Sequence, residues 1–133
     1  MTFQLSTTLR NAKMNAYDTT VGSSAVLKIF SGAEPANCAA ADPTGLLCTI
    51  TLPASPWATA SGGAIALSGT WSASASASGT AASFRIYDGS AVCHVQGTVT
   101  ATGGGGDMTV DNTNIASSQV VSVLTCTITA ANS

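Results

Sequence analysis

Hydrophobic and polar residues alternate with a period of two along most of the chain after residue 24. Such alternation is typical of β-strands with one buried and one exposed face. Runs rich in Gly, Pro, Asn and Asp separate the alternating segments and indicate turns. The pattern predicts an all-β fold, a jelly-roll or β-sandwich of about eight strands with one N-terminal helix. The predicted strands are Ala25–Phe30, Leu46–Leu52, Ala64–Ser68, Thr70–Ala75, Ala81–Tyr87, Ala91–Val99, Met108–Val110 and Gln119–Ala130.

The segment before these strands follows a helical period instead. Its apolar residues recur at spacings of four, three and four, which places them on one stripe of a helix over Leu5–Val21. Ser6 or Thr7 is a suitable N-cap, and Gly22 is suited to end the helix. The chain of 133 residues is expected to form an N-terminal helix or arm, 1–22, and a β-sandwich domain, 23–133. The helix either packs over one end of the sandwich or docks on a partner. The stripe comprises Leu5, Leu9, Ala12 and Ala16, widened by Met14, Tyr17 and Val21.

A short phrase occurs twice in the predicted strands, as Leu27–Gly32 and again as Phe84–Gly89. Each copy reads apolar, basic, Ile, aromatic, small polar or acidic, Gly, with Lys28 and Arg85 on the face opposite the core. Because cross-strand neighbours often share a pattern, the two strands are expected to lie side by side in one sheet. Each cation either pairs with an acidic residue of a neighbouring strand or subunit, or stays solvated and keeps the strands from aggregating.

Charged residues are scarce, at 8% of the chain and a formal net charge of −2, against about 25% charged residues in a typical soluble domain. With only four Lys and Arg residues, binding to nucleic acid through phosphate neutralisation is not expected. No apolar run is long enough for a membrane helix, and the N-terminus does not resemble a signal peptide, so synthesis in a cytoplasm is expected. A surface rich in Ser, Thr, Ala and Gly fits either a protein packed among other subunits or an uncharged soluble domain.

The four cysteines divide into a loop pair and a strand pair. Cys38 and Cys48 bracket a loop and are candidates for a disulfide, with free thiols as the alternative. Cys93 and Cys126 lie in predicted strands and are expected to be small, reduced core residues. With one histidine and no Cys-x-x-Cys spacing, no metal site is expected, and no cofactor is expected either.

No cluster of catalytic residues is evident. His94 has only Cys93 as a neighbouring nucleophile, and adjacent strand residues point to opposite faces. An enzyme is therefore the least expected class. Trp57 follows a Pro-Ala-Ser-Pro run and Trp71 precedes a Ser/Ala strand. Each Trp is either a core residue or an exposed anchor for a protein or a sugar, and Trp57 is the better surface candidate.

Two stretches and their order along the chain are similar to a family of small virion structural proteins of tailed bacteriophages. They are the run Leu5–Ala12 followed by Leu27–Ala36, and the segment Phe84–Asp88 followed by Asp107–Val110. The resemblance implies a capsid cement (decoration) protein on the virion surface that binds the major capsid protein and copies of itself, as a dimer or trimer. It supplies no catalytic residue. The interface candidates are Leu5, Leu9, Arg10, Lys28, Arg85 and Trp57.

Two other functions stay open for this sequence. A tail or head–tail connector protein would have the same weakly charged β-domain. A carbohydrate-binding adhesion module on the virion surface would use Trp57 or Trp71 as a stacking platform.

Overall fold

A computed structural model describes residues 4–129 of the chain. The fold is predominantly β with one helix near the N-terminus, as the alternation predicted. The helix is α1 (Thr7–Val21), and the strands are β1 (Val26–Phe30), β2 (Leu46–Thr51), β3 (Ala64–Ala66), β4 (Ser72–Ser74), β5 (Gly79–Thr80), β6 (Ser83–Tyr87), β7 (Cys93–Ala101), β8 (Met108–Val110), β9 (Asn114–Ile115) and β10 (Val120–Thr129).

The main sheet has the strand order β2-β1-β6-β7-β8-β10-β3, and β4 also pairs with β10. Every pairing is antiparallel except the one between β7 and β8, so the sheet is mixed. Strands β5 and β9 form a separate two-stranded sheet. Both are only two residues long, which is too short to leave an alternation in the sequence.

The sheet curls until its two ends meet. Ser76, just after β4, donates its backbone N–H to the carbonyl of Leu47 in β2, while β4 stays paired to β10. The Cys48 thiol also lies against the carbonyls of Ala73 and Ser74. One continuous apolar core fills the inside of the curl. This arrangement is compatible with the predicted sandwich.

The two copies of the repeated phrase lie side by side, as predicted. Strand β1 pairs with β6 in a register that places Lys28 directly opposite Arg85. Leu27, Ile29 and their β6 counterparts face the core on one side of this ribbon. The other side carries Lys28, Arg85 and Tyr87, and we call it the covered face because residues 31–45, the cover loop, lie across it.

Ser6 is the N-cap of α1, one of the two caps predicted, since its side chain accepts a hydrogen bond from the backbone N–H of Leu9. The helix therefore begins at Thr7, two residues after the predicted start at Leu5. At its other end Gly22 has a φ of 74°, a backbone conformation that L-residues seldom adopt. The helix does not use the predicted stripe to pack. Its buried residues are Met14 and Val21, with Tyr17 packed beside them. The residues expected to widen the stripe are therefore the real contact face.

Candidate functional site

Arg85 is the most deeply buried charged side chain among the residues described, at 2% exposure. Its guanidinium donates to the backbone carbonyls of Asn37 and Ala40, and it forms an ion pair of 2.9 Å with Asp42. All three partners belong to the cover loop. A buried charge is tolerated only when paired and hydrogen-bonded, so the loop stabilises the cation and the cation holds the loop on the sheet.

Tyr87 completes this cluster, because its hydroxyl donates to the same Asp42 carboxylate that Arg85 contacts. The Tyr87 hydrogen bond, together with the Arg85 guanidinium, holds the pKa of Asp42 below its usual range against an opposing effect of burial. Burial and the neighbouring carboxylate raise the pKa of Tyr87. At neutral pH the cluster is a cation, an anion and a neutral phenol.

Lys28 lies beside this cluster and contacts the ring of Tyr87. Its ammonium group sits 5.0 Å from the centre of the Tyr87 ring. A cation over an aromatic face at this distance contributes about 0.5–1 kcal/mol at a partly exposed site. The two repeated cations thus have different roles, because one is buried and paired and the other is half-buried against a ring.

The cover loop also brings two cysteines together, and they are not the pair predicted. Cys48 is fully buried on the core face, whereas Cys38 lies in the cover loop on the opposite side of the sheet, near enough to Cys93 to raise the pKa of its thiol. The predicted Cys38–Cys48 pairing is therefore wrong, because the sheet itself separates the two thiols. Cys93 is half-buried on the covered face and not in the core; Cys126 is a core residue, as predicted.

The His94 imidazole pairs with the Asp88 carboxylate at the turn between β6 and β7. His94 Nε2 is 2.8 Å from Asp88 Oδ2, and the other Asp88 oxygen accepts from the backbone N–H groups of Ser90 and Val92. The His94 hydrogen bond and these backbone bonds hold the pKa of Asp88 below its usual range. Asp88 thus organises the connection between β6 and β7.

Both tryptophans are buried, Trp57 at 3% and Trp71 at 1% exposure. Their rings stack edge to face with centres 5.7 Å apart, and Tyr17 stacks on Trp57 from the helix. Neither ring can serve as an exposed platform for a sugar or a protein. The expectation that Trp57 and Arg85 lie at an interface is wrong. Trp57 is packed in the core, and Arg85 is enclosed by the cover loop.

The helix docks on the β-structure through polar side chains. Asn15 Oδ1 accepts from the backbone N–H of Ala60 at 2.8 Å, and Asn11 Oδ1 accepts from Gly63 at 2.7 Å. The Arg10 guanidinium lies directly over Gly63, where a Cβ atom would be 2.6 Å from its Cζ atom. These side chains satisfy loop N–H groups that would otherwise lack a partner in the helix–loop contact.

Most of the predicted apolar stripe consequently stays exposed. Leu9 is 48% exposed, Ala12 and Ala16 are exposed, and Leu5 is half-buried. We call the three exposed residues, Leu9, Ala12 and Ala16, the outer stripe. A surface helix normally turns its apolar residues to the core. Helix α1 does so with Met14 and Val21, yet it leaves Leu9, Ala12 and Ala16 exposed. The outer stripe is the feature most suited to contact another subunit.

No family model, curated protein or solved structure matches this chain. The helix of the described region is not long and apolar enough to cross a membrane. Within residues 4–129, no three His, Cys, Asp or Glu side chains come close enough together to hold a metal ion.

Proposed function

We propose that this chain is a bacteriophage capsid cement protein that binds between major capsid subunits and stabilises the shell. The observation that carries the proposal is the outer stripe, where α1 presents Leu9, Ala12 and Ala16 to the outside. The resemblance to small virion structural proteins supports the choice of a capsid as the partner. The outer stripe is our candidate for the surface in contact with the shell.

The outer stripe is already ordered before any partner binds. Asn11 and Asn15 fix the opposite side of α1 to the loop at residues 60–63, and Met14 and Val21 anchor it in the core. A helix held in this way loses little conformational freedom on association, which favours binding. Burial of one exposed leucine then contributes about 1–2 kcal/mol per site.

A shell contact of this kind gains from symmetry. A cement protein occupies many equivalent positions, so a modest contact at each one gives a large total stabilisation of the particle. Copies of the protein that also touch one another, as a dimer or trimer, would add to this effect. The low charge of the chain favours an apolar and hydroxylic contact whose affinity depends only weakly on salt.

The proposal is tested by the occupancy of the protein on purified particles, measured by quantitative mass spectrometry against the major capsid protein. Leu9→Gln removes the largest apolar side chain of the outer stripe and should lower occupancy about tenfold at limiting protein. Val92→Gln is the matched control, because Val92 is similarly exposed, at 51%, but belongs to the connection between β6 and β7 and not to α1. Its occupancy should match the parent.

Three results would count against the proposal. An unchanged occupancy of Leu9→Gln would exclude the outer stripe as the contact. A strong loss with Val92→Gln would move the contact to the β6–β7 end of the sheet. A copy number of a few to tens per particle, in place of hundreds, would favour the tail or head–tail connector.

A further inference from the structure

Two cysteines that are far apart in the sequence meet on the covered face. Cys38 lies in the cover loop between Asn37 and Ala40, the two residues whose carbonyls accept from Arg85. Cys93 begins β7 directly opposite Tyr87. Both cysteines are reduced, and the neighbouring Cys38 thiol contributes to the raised pKa of Cys93.

We propose that Cys38 and Cys93 are a disulfide site, which closes when the protein meets a small-molecule disulfide such as oxidised glutathione and then fastens the cover loop to the sheet. This inference does not rest on the proposed function. It concerns two cysteines of the cover loop and β7, and no residue of the outer stripe takes part.

The cover loop is shaped to hold Cys38 in place. The Asn37 side chain accepts from the backbone N–H groups of Ala39 and Ala40, which fixes a tight turn around Cys38. Arg85 binds the carbonyls on both sides of the same turn. The turn therefore holds Cys38 over the covered face, and because Cys38 lies in a loop, the bond to Cys93 can form by movement of the loop while the strand stays in place.

Exposure also separates this pair from the other two thiols. Cys38 and Cys93 are half-buried, so a small reagent can reach them, whereas Cys48 and Cys126 are buried in the core. Burial raises the pKa of Cys126 to about 12 and raises the pKa of Cys48 as well. Both core thiols are thus protonated and shielded near neutral pH.

The bond forms by two exchange steps. The Cys38 thiolate attacks one sulfur of the reagent disulfide, releases one reagent thiol and becomes a mixed disulfide. The Cys93 sulfur then attacks the Cys38 sulfur and releases the second reagent thiol, so two protein thiols are oxidised and one reagent disulfide is reduced. Burial and the Cys38 thiol raise the pKa of Cys93 to about 12, so the second step should become faster as the pH rises.

Trypsin separates this pairing from the alternatives. Cleavage after Lys28 and Arg85 places Cys38 and Cys48 in one peptide, 29–85, and Cys93 and Cys126 in another, 86–133. The folded protein is treated with oxidised glutathione at pH 8, free thiols are alkylated, and the denatured chain is digested without reductant. The proposal predicts that the two peptides are joined in the parent, in Cys48→Ser and in Cys126→Ser, and are separate in Cys38→Ser and Cys93→Ser.

Thermal unfolding provides the second readout. The bond links residues about 55 positions apart, and closing a loop of that length should raise the Tm by about 10 °C. Cys38→Ser and Cys93→Ser should show no such rise after oxidation. Four alkylated thiols after treatment, an internal bond within peptide 29–85, or joined peptides that persist in Cys38→Ser would each overturn the proposal.

Discussion

The covered face and the outer stripe each invert the usual rule for what a protein buries. On the covered face a charged side chain, Arg85, is inside the protein. On the outer stripe a large apolar side chain, Leu9, is outside it. The buried charge of Arg85 has its partners within the chain, because the cover loop supplies one carboxylate and two carbonyls. Leu9, in contrast, stays exposed among the residues that the structure describes.

The difference separates a structural feature from an interaction surface. A buried charge whose partners all lie within the chain is part of the fold and needs no further partner to account for it. Exposed apolar residues on a helix whose polar side is already docked gain nothing from the fold and gain most from a partner. Mutations in the two regions should therefore separate, with losses of stability on the covered face and losses of binding on the outer stripe.

Arg85→Met should give the largest loss of stability. It leaves the Asn37 and Ala40 carbonyls and the Asp42 carboxylate without their shared donor, at a cost of about 3 kcal/mol in the free energy of unfolding. Urea denaturation measures this value. Lys28→Met is the matched control on the neighbouring strand, and it should cost less than about 1 kcal/mol because it loses a contact with the Tyr87 ring and a weaker electrostatic interaction with Asp42. Equal losses in the two variants would mean that the cover loop does not depend on Arg85.

Alkaline pH should produce the next largest effect, and between the covered face and the outer stripe, only the covered face should contribute to it. Tyr87 and Cys93 have raised pKa values in the folded protein, so the unfolded chain releases their protons first as the pH rises. Their stabilisation is complete below about pH 9 and is lost above it, by about 2 kcal/mol between pH 9 and pH 11. The outer stripe carries no titratable side chain.

A double variant isolates the contribution of Tyr87 and Cys93 to the loss of stability at alkaline pH. Tyr87→Phe combined with Cys93→Ala should lose less stability between pH 9 and pH 11 than the parent, as measured by urea unfolding at each pH. Cys126 keeps a share of its own, since burial raises its pKa to about 12, so some decline should remain. A decline as steep as that of the parent would contradict the assignment.

Asn15→Ala should have a smaller effect, about 1 kcal/mol, by removing the acceptor for the Ala60 N–H. Thr19→Ala is the control one turn further along α1, where the side chain only bonds back to the Asn15 carbonyl within the helix. Hydrogen exchange should show faster exchange at Ala60 in Asn15→Ala alone. If exchange at Ala60 does not change, the hydrogen bond from Ala60 to Asn15 does not hold the helix on the loop at residues 60–63.

Leu9→Gln should have the smallest effect on stability, within about 0.5 kcal/mol of the parent, because half of the side chain is already in water. Met14→Ala, on the buried side of the same helix, should cost at least 2 kcal/mol. Thermal unfolding of the two variants compares the two sides of α1 directly. A loss with Leu9→Gln as large as that with Met14→Ala would mean that the outer stripe is part of the core.

The strands could be predicted from the sequence because alternation is a local property of the chain. The side-by-side placement of Lys28 and Arg85 could also be predicted, because the same phrase occurs in both strands. The partner of Arg85 could not, since Asp42 lies in a loop and its Asp-Pro pair indicates only a turn. Nothing local marks which loop folds back over which strand.

The orientation of α1 and the pairing of Cys38 were missed for a related reason. An apolar stripe shows that a helix has an apolar and a polar side. It does not show which side packs on the rest of the protein and which side stays available for a partner. The contacts of Asn11 and Asn15 depend on loop N–H groups about 50 residues away along the chain. Cys38 and Cys48 are close in sequence, and only the sheet that separates them excludes their bond.

Cryo-electron microscopy of intact particles carrying this chain tests the central claim most directly. The account predicts copies in the hundreds, placed at the boundaries between capsid subunits, with Leu9, Ala12 and Ala16 of the outer stripe against a capsid subunit and the cover loop closed over Arg85. Density for the chain only in the tail or connector, or shell-bound copies whose outer stripe faces solvent, would contradict it.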